Sequence, residues 1–184
     1  VLDSLDALGL SENTFVFLAG DNGFMKGSHG HRAKQVWFEE SARTPALARW
    51  PGRIPAGGAL SAPVVGVDLL PTLLDLADAP PPSGKAMEGR SMIPALTGGK
   101  PLRDAAFSEL QMGAMMERVA GDYWWMVREG RWKYVRALKA PELLYDLETD
   151  PHELHSLVGD PAGAQALLHL RGRLDDWLAS TPPP

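Results

Sequence analysis

Cysteine is absent from the chain, which excludes disulfide bonds, zinc–thiolate sites and a thiol nucleophile among its 184 residues. Positive charge is also scarce. The 18 Lys and Arg against 23 Asp and Glu leave a net charge of −5, which argues against a nucleic-acid binder held by bulk charge. No apolar run approaches the ~18 residues of a membrane-spanning helix. We therefore expect neither a nucleic-acid partner nor a membrane partner, and the oligomeric state stays open.

The start of the chain lacks an initiator Met, a signal peptide and a helix N-cap. Apolar residues nevertheless recur at helical spacing from Val1 to Leu10, so we expect the end of a helix that begins upstream. The compartment stays open, because a chain without cysteine suits both the cytoplasm and the bacterial periplasm.

Glycine and proline are abundant, with 19 and 16 residues, and they predict many turns and long ordered loops. The apolar runs Thr14–Ala19 and Pro45–Trp50 are typical of strands buried on both faces of a parallel sheet. A helix is predicted over Asp68–Ala77, where the apolar spacing is helical and Asp68 suits the N-cap. The first part of the chain is therefore predicted to be an α/β layer.

The second part of the chain has a different pattern. An amphipathic helix is predicted over Ala162–Leu178, and a two-residue hairpin at Glu129–Gly130. The predicted strands before that helix are Ala105–Leu110, Tyr123–Arg128, Arg131–Arg136 and Glu142–Leu147. We expect a small antiparallel sheet closed by one helix, which divides the chain into domains at residues 1–103 and 104–184.

Two consecutive polar residues, Asp21 and Asn22, follow the first predicted strand. Ligands gather at the carboxyl ends of strands in α/β sheets, and carboxylate and amide oxygens suit Ca²⁺ or Mg²⁺. Downstream, Lys34 follows His29 and His31 in a basic stretch that could hold an oxyanion. Spacing alone favours simpler interpretations, an Asn–Gly turn and a solvated lysine, so both interpretations remain open here.

A second histidine motif, His152-Glu-Leu-His155, is one residue short of the helical zinc-protease motif. Asp150-Pro151 just before it favours a turn, so we expect these two histidines on the surface. The aromatic run Tyr123–Trp125 is predicted to pack in the core and on a sheet face, because the acidic balance disfavours a base-stacking platform.

Several segments together, in order and with compatible spacing, resemble the sulfatase family. The first reads DNGFMKGSHG from Asp21 to Gly30, and Lys34 follows it. The last reads LYDLETDPHEL from Leu144 to Leu154. The segments between them are Phe38–Pro45, Trp50–Gly52, Val67–Ala77, Glu88–Met92 and Met126–Tyr134. Each motif is weak, but the combination is specific and covers nearly the whole chain.

The resemblance implies the fold class α/β, as the C-terminal part of an alkaline-phosphatase-like sandwich plus a small antiparallel sheet with one C-terminal helix. It implies that Asp21 and Asn22 are metal ligands, with Ca²⁺ as the usual ion and Mg²⁺ or Mn²⁺ as alternatives. Lys34 matches the lysine that contacts the sulfate, and His29 matches a histidine beside the pocket. The residues expected to hold the loop in place are Glu39, Glu40, Ser41 and Arg43.

The family's nucleophile is a formylglycine made from Cys or Ser in a C/S-x-P-x-R motif, and this chain contains no such motif. The family's N-terminal pair of aspartate ligands is missing as well. The resemblance therefore implies the C-terminal portion of a hydrolase that acts on a small-molecule or sugar sulfate ester, inactive on its own.

Two alternatives remain open. The first is a phosphonate or phosphodiester hydrolase of the same superfamily, although Asn22 favours a sulfatase because those relatives more often have His there. The second is a non-catalytic product of a truncated gene.

Overall fold

The computed structural model describes residues 1–82, 87–111 and 123–181. The chain divides into two compact units, Val1–Asp21 with Thr44–Asp104 and Asn22–Arg43 with Ala105–Pro184. The helices are α1 (Leu2–Ala7), α2 (Glu39–Ala42), α3 (Leu69–Leu76), α4 (Ile93–Leu96) and α5 (Ala164–Ser180). The strands are β1 (Val16–Ala19), β2 (Ala46–Arg49), β3 (Ala105–Gln111), β4 (Tyr123–Glu129), β5 (Trp132–Ala137) and β6 (Leu143–Asp146).

In the first unit, β1 and β2 form a two-stranded antiparallel sheet in which Leu18 lies opposite Leu47. These two side chains are 64% and 63% exposed. The prediction of a parallel sheet buried on both faces is therefore wrong for this pair. An unbroken apolar run indicates burial but not strand direction, and here Gly20 donates to the carbonyl of Pro45 as the chain returns.

The first unit contains a small apolar core and a buried carboxylate. Met92, Ala95 and Leu102 form its buried cluster. Asp68, which is fully buried at the start of α3, accepts hydrogen bonds from the backbone of Val65 and Arg90. It also forms a bidentate pair with the guanidinium of Arg103.

The second unit is built around the antiparallel sheet β3-β4-β5-β6, as the sequence predicts. The hairpin between β4 and β5 turns through Gly130 and Arg131, one residue later than predicted, and Gly130 has a φ of 56°. Such a left-handed residue is what a two-residue hairpin turn requires.

Each face of this sheet covers a different cluster, because successive strand residues point to opposite sides. On one face, Val127, Tyr134 and Leu144 pack with Leu167, Leu170 and Leu174 of α5. On the other face, Trp124, Met126, Val135 and Tyr145 pack with Met25, Val36, Trp37 and Phe38. The burial of Trp124 confirms that part of the aromatic run lies in the core.

The packing of residues 22–43 adds to the predicted organisation. This segment joins β1 to β2 along the chain, yet it packs with the sheet of the second unit. The domain boundary at 103/104 remains a prediction. Within the described ranges, no helix has both the length and the apolar character needed to cross a membrane.

Candidate functional site

The candidate site lies in residues 22–43, whose backbone adopts several left-handed conformations. Lys26, His29 and Gln35 have φ values of 50°, 53° and 76°. Each such non-glycine residue costs free energy, of order 1–3 kcal/mol, and persists only where the surroundings fix it. Two short hydrogen bonds close the loop on itself, from Met25 N to Ala33 O and from Gly27 N to His31 O, both 2.8 Å.

Asn22 and Lys34 meet in this segment, although twelve positions separate them. Lys34 Nζ donates to Asn22 Oδ1 at 2.6 Å, and both side chains are half-buried. Asn22 Nδ2 donates to Gly23 O at 2.9 Å, which orients the amide and leaves its oxygen toward the ammonium. The structure thus brings together one predicted metal ligand and the predicted sulfate-binding lysine.

α2 holds both sides of this contact. The Ser41 carbonyl accepts from Gly23 N at 2.9 Å, and the Ser41 hydroxyl accepts from Gln35 N at 3.1 Å. A Cβ added at Gly23 would overlap the carbonyl oxygen of Glu40, so only glycine fits there. The residues after Asn22 and after Lys34 are therefore both tied to one helical turn.

His29, the second predicted catalytic residue, is held by an aromatic contact. Its imidazole stacks on the ring of Phe38 with centroids 3.6 Å apart and the planes 8° from parallel. His31 lies near the same ring at 6.1 Å. The catalytic role of His29 stays a prediction.

Asp21 is exposed and ends the first unit, whereas Asn22 begins the second. Among the described residues, no group of three His, Cys, Asp or Glu could hold a metal ion. The oxygen atoms of Asp21 and Asn22 are still of the kind that hard cations prefer. The amide oxygen of Asn22 already faces one positive group, the ammonium of Lys34. By themselves Asp21 and Asn22 could hold Ca²⁺ only weakly, because Ca²⁺ takes 6–8 oxygen ligands.

A buried ion cluster below α2 was missed by the sequence analysis. Lys133 of β5 is fully buried, and its Nζ lies 2.7 Å from Glu39 Oε1 and 2.8 Å from Glu153 Oε1. The only sequence signal is position. Lys133 lies on the same face of β5 as the buried Val135, and a buried lysine needs an internal partner.

The expected loop-holding residues are borne out in part. Glu39 and Ser41 make the contacts described above, whereas the side chain of Arg43 is 74% exposed and lies 3.9 Å from Glu39. His152 and His155 are exposed, as predicted. Glu153 between them is buried, and this burial raises the pKa of its carboxyl despite the nearby Lys133 ammonium.

Comparison with known proteins identifies the family. A family model for the C-terminal region of N-sulphoglucosamine sulphohydrolase matches residues 27–180. Choline-sulfatase of Rhizobium meliloti (strain 1021) is 32% identical over 164 residues, which cover 89% of this chain and 30% of that protein.

Two solved structures have the same fold. A protein in complex with its substrate D-glucosamine-2-N,6-O-disulfate gives a TM-score of 0.83 at 29% identity, covering 97% of this chain and 36% of that one. Phosphonate monoester hydrolase of Agrobacterium radiobacter also gives 0.83, at 30% identity, covering 97% and 37%.

The chain spans about a third of the length of the curated relatives it matches, 30% of the choline-sulfatase and 35% of the ulvan-active sulfatase of Formosa agariphila. The matched family model covers most of the chain, and the structural neighbours superpose over nearly all of it. The chain therefore belongs to the sulfatase family, as a C-terminal portion with the alkaline-phosphatase-like fold.

Proposed function

We propose that the chain is the C-terminal part of a sulfatase that hydrolyses a sulfate monoester of a small molecule or sugar. In this proposal Asp21 and Asn22 ligate a divalent cation, Ca²⁺ in the first place, and Lys34 binds the sulfate group. The observation that carries the proposal is the 2.6 Å contact between Lys34 and Asn22 in a chain of this family.

The residue types suit the reaction. A sulfate ester is a tetrahedral anion whose negative charge shifts to the leaving oxygen as the S–O bond breaks. A bound divalent cation would supply Lewis-acid stabilisation of that charge. Lys34, a compact point charge on a flexible stem, would hold a sulfate oxygen at a half-buried position, where an ionic contact is stronger than in water.

The remaining catalytic groups must come from outside residues 1–184. This chain contains no formylglycine motif, and its two candidate ligands do not fill the coordination shell of Ca²⁺. We expect the chain alone to be inactive and a longer protein that includes the nucleophile to be active.

A phosphonate monoester hydrolase is the second candidate, supported by the structural neighbour with that activity. Asn22 favours the sulfatase, because the resemblance associates histidine at that position with the phosphohydrolase relatives. The two candidates differ in the acid group that is cleaved from the alcohol, sulfate or phosphonate, so substrates that share one leaving group can separate them.

The test is an assay of a protein that joins this chain to its upstream nucleophile-bearing segment. We expect hydrolysis of an aryl sulfate to exceed that of an aryl phosphonate monoester and a diaryl phosphate. Lys34→Ala should lower kcat about 10²–10³-fold, as loss of a charge-stabilising donor does elsewhere. The exposed Lys26→Ala in the same loop is the matched control and should retain activity.

A large preference for the phosphonate or the diester would refute the sulfatase in favour of the second candidate. Equal activity of Lys34→Ala and Lys26→Ala would remove Lys34 from the mechanism.

A further inference from the structure

A buried lysine and a buried glutamate clamp the start of α2. Lys133 Nζ donates to Trp37 O at 2.9 Å and to Glu153 Oε1 at 2.8 Å, and it pairs with Glu39 Oε1 at 2.7 Å. These three contacts account for the three protons of an ammonium. Glu153 Oε2 accepts from the backbone N–H of Glu39 at 2.6 Å. Residues 37–39 are therefore held through both the backbone and a side chain.

Charges of both signs face each other in this cluster. Lys133 faces Glu39 and Glu153, and Arg128 Nε lies 4.0 Å from Glu39 Oε1. Removing one member leaves a buried charge without its partner, which is far more costly than losing an exposed ion pair. The cluster thus favours one position of α2 over any displaced position.

The position of α2 is passed to the candidate site through Ser41. The carbonyl of Ser41 holds Gly23, the residue after Asn22, and its hydroxyl holds Gln35, the residue after Lys34. Gln35 is further fixed by the indole of Trp124, which donates to its carbonyl at 3.3 Å. Because Gln35 is also held by Trp124 while Gly23 is held by Ser41, a shift of α2 would move Asn22 relative to Lys34.

We propose that Lys133 and Glu153 are positioning residues, which set the distance between Asn22 and Lys34 by fixing α2. The significance of that distance for catalysis rests on the proposed function, but the mechanical link does not. Glu153 touches neither of the two site residues directly, and it acts through Glu39 and Ser41.

The link is tested by amide hydrogen exchange, measured by NMR on the ¹⁵N-labelled chain. Glu153→Gln keeps the side-chain shape but offers one acceptor oxygen where the clamp uses two. We expect protection to fall about tenfold at Glu39 and also at Gly23 and Gln35, relative to the amides of β4 and β5. The Asn22 side-chain resonances should shift in the same variant.

Two controls separate positioning from general stability. Glu148→Gln makes the same chemical change at an exposed residue that pairs with Arg131, and it should leave Gly23 and Gln35 unchanged. Leu174→Ala weakens the core on the opposite face of the sheet, so it should lower protection throughout the second unit without a selective loss at the site.

The proposal is overturned if Glu39 loses protection while Gly23 and Gln35 keep theirs, or if Leu174→Ala reproduces the selective loss. Ser41→Ala is measured in parallel, so that a Glu153→Gln chain that fails to fold still leaves a decisive result. It should expose Gln35 N–H selectively, and unchanged protection there would also overturn the link.

Sulfate and Ca²⁺ titrations of the unaltered chain separate this result from the proposed function. Absence of any response at Asn22 and Lys34 would contradict the function while leaving the exchange result intact. A response at those residues with no transmission from Glu153 would support the function and reject the positioning role.

Discussion

The contact between Lys34 and Asn22 defines the site at the scale of single residues. An amide oxygen that holds a metal ion becomes a poor acceptor for an ammonium, because two cations on one oxygen repel each other. Metal binding should therefore release Lys34 from Asn22 Oδ1. Under the proposed function the released ammonium would then bind the sulfate, and the 2.6 Å contact would be the arrangement before the metal binds.

Glycine substitutions test the close approach beside Asn22. Gly23→Ala should destabilise the chain by about 1–3 kcal/mol, since its Cβ would overlap the carbonyl of Glu40. Gly172→Ala, in the exposed interior of α5 with open space around it, should stabilise the chain by about 0.5–1 kcal/mol. Urea denaturation of both variants measures these opposite signs, and a neutral Gly23→Ala would show that the loop can move away.

The candidate site was predictable from sequence only in part. Asn22 and Lys34 were identified through family resemblance, because spacing alone favoured a turn and a surface charge. Lys133 and Glu153 were overlooked as site-supporting residues. Their partners lie far away in sequence, as the 96 positions between Lys133 and Trp37 illustrate, and local patterns carry no information about such contacts.

At the scale of secondary-structure elements, a buried carboxylate ties the end of β6 to the β4–β5 hairpin. Arg131 in the hairpin turn donates to both carboxylate oxygens of Asp146. This hydrogen bonding, together with bonds from Thr149 and Glu148, outweighs burial and lowers the pKa of Asp146 from 3.8 to about 2. The pair thus links the turn between β4 and β5 to the end of β6.

The lowered pKa predicts how stability depends on pH. Because the folded pKa lies below the unfolded value, the contribution is present above about pH 4 and is lost as the pH falls toward about 2. Asp146→Asn should lose about 1 kcal/mol at pH 7, since the partner Arg131 is partly exposed to solvent, and its stability should depend less on pH in the acid range. Asp176→Asn, on the exposed side of α5, should follow the unaltered chain. Urea denaturation at several pH values between 2 and 7 measures the free energy of unfolding of each variant. The same loss of stability on acidification in both variants would contradict the prediction.

Most elements of the second unit were predictable because each has a clear local signal. β4 and β5 are short runs rich in aromatic and β-branched residues, separated by a two-residue turn, and apolar residues recur at helical spacing in α5, so the type and approximate bounds of these elements could be predicted. The direction of β1 relative to β2 could not be predicted from the sequence. Their runs do not alternate, and the reversal depends on how residues 20–45 pack.

At the scale of the whole molecule, the chain combines two units of different character. The first has a small core and an exposed two-stranded sheet, whereas the second has apolar clusters on both faces of one sheet. The candidate site draws Asn22 and Lys34 from the second unit, while Asp21 ends the first.

The most direct test of the central claim is a Ca²⁺ titration of the chain, followed by NMR at the side chains of Asn22 and Lys34. We predict weak binding, with a Kd near or above ~1 mM because few ligands are present. Both side chains should respond together, and Asn22→Ala but not the exposed Asn13→Ala should abolish the response. If Ca²⁺ at about ten times that concentration leaves the Lys34–Asn22 contact unchanged, the assignment of the metal and sulfate site is wrong.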